Sequence, residues 1–127
     1  MLFRSDEVAG LVLVDPTHPT QFTGDGAMNR RSTLSNVVVA VALTGAPREE
    51  FTALTESGRQ VLEAPPLRAD LPTVVLIAPD RATTPIAAFD NGKRRDFARL
   101  YPHATVREVD CGHHIPQEKP EIGRAHV

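Results

Sequence analysis

A chain of 127 residues, 41% hydrophobic and 24% charged, has the composition of one small globular domain, not of a disordered or collagen-like polymer. Its formal net charge of -2 gives no footprint for nucleic acid, which needs clustered Lys and Arg, and its single cysteine excludes an intrachain disulfide framework or a multi-cysteine zinc site. No apolar run approaches the roughly 18 residues of a membrane span, and the opening residues carry no basic, then apolar, then small leader pattern.

Val8 to Pro16, VAGLVLVDP, is a continuous branched-apolar run that stops at Asp-Pro, which predicts a strand buried on both faces. The stretch from Pro16 to Ala69 changes character. It opens on PTHPTQFTGDGAMNRRS, an irregular loop rich in Pro, Gly and Thr. Gly24-Asp25-Gly26 is no phosphate loop, because it follows no strand directly and opens no helix. TLSNVVVAVALTG then predicts an apolar helix with Ser32 or Thr33 at its N-cap and Gly45 at its stop, although its valines would also suit a strand. Pro47 in a first turn beside Glu49 and Glu50 starts a second helix. Its expected inner stripe is Phe51, Leu54, Val61 and Leu62, and Pro65-Pro66 end it. This helical segment reads as a cap inserted over about residues 16–69.

Leu71 to Asp80, LPTVVLIAPD, repeats the first strand's design. In NGKRRDFARLYP, Phe97, Leu100 and Tyr101 stand at i, i+3 and i+4 ahead of Pro102, which predicts a short amphipathic helix. Lys93-Arg94-Arg95, like Arg30-Arg31, reads as a solvated face. Ala104 to Gly112, ATVREVDCG, is a third, weaker strand anchored by Val106 and Val109. Strand, helix, strand is the parallel βαβ signature, so the expected class is α/β with three parallel strands.

In open parallel sheets ligands bind at the carboxyl edge. This order of elements puts Asp15 there after the first strand, Asp80 after the second and His113 after the third. A histidine whose tautomer is held by an acid can work as a general base. Taken singly, each Asp is also explained as a turn residue, since Asp-Pro and Pro-Asp form turns, and His113 as a hydrogen-bonded loop residue. Three such groups at three strand ends favour chemistry. His18 and His103 read as surface loop residues, and Cys111 as a small, partly buried thiol. His113 and His114 are adjacent and point apart on an extended backbone, which disfavours a metal site.

EVAGLVLVDPTHP, LPTVVLIAPD and FARLYPHATVREVDCGHHIPQEKPE resemble the C-terminal half of an α/β-hydrolase of the esterase and lipase-like family. GHHIPQEKPE is similar to that family's catalytic-histidine loop, in which Gly-His is followed by an acidic residue and Pro-Glu. The resemblance implies that His113 is the base of a Ser-His-Asp triad and that His114 lines the substrate pocket. It leaves the acid open. The family's usual acid follows the strand matched by TVVLIAP, but Asp80 stands one residue nearer that strand than the pattern, whose position falls on Arg81. Other members carry the acid after the preceding strand, where Asp15 stands. The resemblance also implies a small-molecule ester or related acyl substrate and no cofactor.

The family's Gly-x-Ser-x-Gly turn has no counterpart, because Ser5, Ser32, Ser35 and Ser57 all lack that flanking. The ending IGRAHV is what one frame of a common sequencing-library adapter translates to, and LFRS near the start resembles its companion. Asp6 to Glu121 is therefore the expected native segment, with residues 1–5 and 122–127 set aside, of a larger enzyme whose nucleophile is missing here. The alternative is a non-catalytic binding or interaction domain whose Asp and His residues only shape a polar groove. An apolar first strand at a cut sheet edge would also invite self-association.

Overall fold

The structure is a computed structural model that describes residues 7–26 and 46–123. Its elements in chain order are β1 (Leu11–Val14), α1 (Ala46–Glu63), β2 (Thr73–Ile77), α2 (Pro85–Arg95), α3 (Phe97–Leu100), β3 (Thr105–Glu108) and α4 (Ile115–Glu118), with short 3-10 turns at Gly24–Gly26 and Pro120–Gly123. The expected helix in TLSNVVVAVALTG, with Ser32, Thr33 and Gly45, lies outside the described residues. The chain divides into two units, one of Met1–Pro16 with Pro66–Val127 and one of Thr17–Pro65.

In the first unit the three strands form a parallel sheet in the order β1-β2-β3. The fold class is α/β. β2 is central, and its alternate residues feed two apolar clusters. Val75 and Ile77 pack with Phe97 on one face, joined by Leu13, Val106, Leu100 and Tyr101. Leu76 and Ala78 pack with Ile115 on the other, joined by Val74, Val109, Cys111 and Ile122. Burying β2 on both faces accounts for its continuous apolar run. β1 was expected to share that burial and does not: Leu11 and Leu13 are half-buried, whereas Val12 and Val14 are 61% and 42% exposed.

The crossover from β2 to β3 holds more helix than its apolar spacing predicts. Thr84 caps α2 by accepting the Ala87 N–H through Oγ1 at 3.1 Å, and Pro85, whose ring presets φ, sits at the first turn. Asp96 then links α2 to α3, where Phe97 is buried and its ring stacks on Tyr101.

In the second unit α1 begins beside Pro47, as expected, and runs to Glu63. Arg59 pairs with both Glu56 and Glu63 on its exposed side. Gly58 is required where it stands, because a Cβ there would meet the Pro19 carbonyl oxygen at 2.2 Å. The expected inner stripe is corrected: Leu54 is half-buried, but Val61 and Leu62 are exposed. His18, expected at the surface, is buried, and its Nδ1 accepts the Thr20 N–H at 3.2 Å. A ring nitrogen that accepts a backbone N–H satisfies a part-buried donor, which gives the buried histidine a structural use.

Candidate functional site

The carboxyl ends of the three strands converge on Asp15. β1 stays in register with β2 through Val14, and the Asp15 N–H still donates to the Leu76 carbonyl at 2.7 Å. The backbone then turns sharply, with Asp15 at φ 40, a left-handed conformation that Asp tolerates better than β-branched residues do. That turn tucks the Asp15 side chain inward, where it is only 1% exposed.

A carboxylate so buried needs partners, and Asp15 has three. Oδ1 accepts the Ala78 N–H at 3.0 Å and the Arg94 Nε–H at 3.1 Å. Oδ2 faces His113 Nδ1 at 2.5 Å. Burial pushes the Asp15 carboxyl up, but the hydrogen bonds from Ala78, His113 and Arg94 and the Arg94 charge outweigh it and hold the carboxyl below its ordinary value. An ionised carboxylate only accepts, so the proton in the contact with His113 sits on Nδ1. Neutral His113 then has its lone pair on Nε2, in the form a general base needs. The His113 side chain is 66% exposed, so that nitrogen is reachable from solvent.

The chain after β3 presents His113 from a short loop. The Val109 N–H donates to the Ile77 carbonyl at 2.8 Å, which holds this segment beside the end of β2. The loop then re-enters the fold at Ile115, which is 2% exposed in the second apolar cluster. Beside His113 opens a groove of about 610 Å³ lined by Ala78, Pro79, Asp80, Arg81, Arg94, Asp110, Cys111 and Gly112. Arg81 and Asp110, both exposed, pair along its lining.

Asp80, the second candidate acid, is occupied elsewhere. Its Oδ1 accepts the Ala82 N–H at 2.9 Å, closing a local turn. Its backbone is clamped by Asn91, which accepts the Asp80 N–H at 2.8 Å and donates to the Asp80 carbonyl at 2.7 Å. Asp80 lines the groove but is not the partner of His113. His114, in contrast, is not among the residues that line the groove. It is exposed at the N-cap of α4, and its ring stands 5.6 Å from that of His113, centroid to centroid. Cys111 also lines the groove, and burial together with the Glu118 charge raises its thiol, which keeps it protonated and a poor nucleophile. Arg94 was missed as a solvated residue, although it touches the buried acid directly.

Among the described residues no group of three His, Cys, Asp or Glu side chains could hold a metal ion, and no helix is long and apolar enough to cross a membrane. Comparison with protein-family models, with curated proteins and with solved structures gives no match.

Proposed function

We propose that this chain carries the histidine and acid of an α/β-hydrolase site that cleaves a small ester or related acyl substrate. The observation that carries the reading is the 2.5 Å contact of His113 Nδ1 with the buried, ionised Asp15. In this reaction Nε2 of His113 takes the proton from a serine hydroxyl as the serine oxygen bonds to the acyl carbon. The same proton then passes to the alcohol oxygen as the bond between that oxygen and the acyl carbon breaks, which releases the alcohol and leaves the acyl group on the serine. Water repeats the cycle in place of the serine and frees the acid. Asp15 stays ionised throughout, fixing the ring and stabilising the imidazolium.

On this reading the serine is one that this chain does not supply, since Ser5, Ser32, Ser35 and Ser57 all lack Gly-x-Ser-x-Gly flanking. Ser57 is the only serine among the described residues, and it lies in the middle of α1, not on a strand-to-helix turn. The chain alone is therefore expected to hydrolyse no p-nitrophenyl ester above background, while a parent protein completed by a Gly-x-Ser-x-Gly segment turns it over. Turnover by the chain alone that His113→Ala abolishes would sink the assignment of the nucleophile. A completed parent whose turnover survives His113→Ala would sink the reading as a whole.

A further inference from the structure

We infer that Glu118 is a positioning residue for His113, a latch that closes the loop on which the histidine rides. The inference rests on the Asp15–His113 pairing used above, but not on the reaction proposed for it. His113 lies between two fixed points. After it, the His114 carbonyl accepts the N–H groups of Gln117 at 2.9 Å and Glu118 at 3.0 Å, which starts α4. Before it, the Gly112 N–H donates to Glu118 Oε2 at 2.8 Å. One residue thus bonds the backbone on both sides of His113, through its N–H on one and its carboxylate on the other.

The fit at Gly112 is close. A Cβ there would meet Glu118 Oε1 at 2.5 Å, so the carboxylate, the end of a flexible side chain, would have to shift for any other residue. Gly112 and Glu118 are in this sense one device: the glycine admits the carboxylate, and the carboxylate takes the glycine's N–H. The bonds of Glu118 go to the backbone of Gly112 and His114, not to the side chains of the His113–Asp15 pair. Their effect is to hold the backbone of a side chain that is itself largely solvent-exposed. Without the carboxylate the loop keeps its anchors at Val109 and Ile115 but loses the one at Gly112, next to His113, and a charge-assisted bond is weakened when one partner gains freedom.

The test reads the histidine directly and needs no substrate. The full chain, labelled with 15N in its histidines, is examined by NMR for the low-field Nδ1–H proton of His113, assigned by its disappearance in His113→Asn. We expect a single Nδ1–H tautomer and a low-field signal in the unchanged protein. Both should be lost in Glu118→Ala and kept in Glu118→Gln, whose amide oxygen can still accept the Gly112 N–H. Gly112→Ala leaves the carboxylate in the chain but displaces it, and should behave as Glu118→Ala does. If Glu118→Ala does not fold, Gly112→Ala decides. A folded Glu118→Ala or Gly112→Ala variant with the signal unchanged overturns the latch. Absence of the signal from the unchanged protein instead overturns the Asp15–His113 pairing itself.

Discussion

Arg94 donates its Nε–H to Oδ1 of Asp15 at 3.1 Å, from a side chain 19% exposed to one that is 1% exposed. Because the Ala78 N–H occupies the same oxygen, Oδ2 is left for His113. Arg94 therefore orients the acid as well as neutralising it.

Removing Arg94 should accordingly weaken the fold more than removing a surface cation would. Truncating one partner of a buried pair leaves an uncompensated charge, which costs about 3–5 kcal/mol in the fully buried limit. Here Ala78 and His113 still serve the carboxylate and Arg94 is partly solvated, so about 1–3 kcal/mol is expected for Arg94→Ala. Arg95→Ala, which removes an exposed pair with Glu108, should cost under about 1 kcal/mol. Urea denaturation at neutral pH compares them directly, and equal losses would show that Arg94 is not engaged as described.

Acid should undo the same site. The Asp15 carboxyl lies below its ordinary value in the fold, so between the folded and unfolded pKa values the unfolded chain binds more protons. Stability from Asp15 is thus complete above the unfolded value, about pH 4 for an aspartate, and falls away as pH drops through the folded one. Asp15→Asn removes this contribution. Between about pH 5 and pH 3 its melting temperature should fall less steeply than that of the unchanged protein. Parallel slopes for the two would show that Asp15 does not gain its stability as the ionised form.

In a parent protein completed by its nucleophile, the acid can be identified by kinetics. Asp15→Asn should lower kcat by about 10^3–10^4, as loss of the tautomer-fixing acid does, and His113→Ala by at least as much. Asp80→Asn and His114→Ala should stay within about tenfold, since the Asp80 side chain bonds only its local turn and His114 meets His113 only ring to ring at 5.6 Å. A large effect at Asp80 with a small one at Asp15 would reverse the assignment.

The contrast between Asp15 and Asp80 marks where a linear reading ends. Both follow an apolar strand and both adjoin proline, so the chain order makes them equal candidates. What separates them is non-local: the bond from Ala78 N to Asp15 spans 63 positions, whereas Asp80 is used up by Ala82 and Asn91 close by. Lys93, Arg94 and Arg95 teach the same lesson at closer range. Adjacent residues on a helix diverge by about 100°, and these three go to the Phe89 ring, to Asp15 and to Glu108. No property of a basic triplet says which member turns inward. β1 and β2 were legible because short, continuous branched-apolar runs closed by proline have few other uses, whereas β3 rested on Val106 and Val109 alone. The start of α2 was overlooked because its signals, Thr84 and Pro85, are a cap and a first-turn residue, not part of an apolar stripe.

The exposed face of β1 carries the last prediction. Val12 lies opposite Val74 and Val14 opposite Leu76, so the two exposed valines extend an apolar strip that the second cluster covers only over β2 and β3. β1 also ends the sheet order among the described residues, and it has no charge from Leu11 to Val14. Natural edge strands are usually protected by charge, proline or a bulge, and an apolar edge without them pairs readily with another chain. The chain should therefore self-associate at tens of micromolar through β1. Val12→Lys should reduce that association with little loss of stability, because position 12 is already 61% exposed and a lysine there can reach water. Leu13→Lys, by contrast, would bury a charge beside Val75 and Phe97 and should unfold the first unit. Sedimentation velocity of the unchanged chain and of Val12→Lys is the measurement. A unchanged chain that sediments as a single monomer with a sharp cooperative melt would mean that this strip needs no cover.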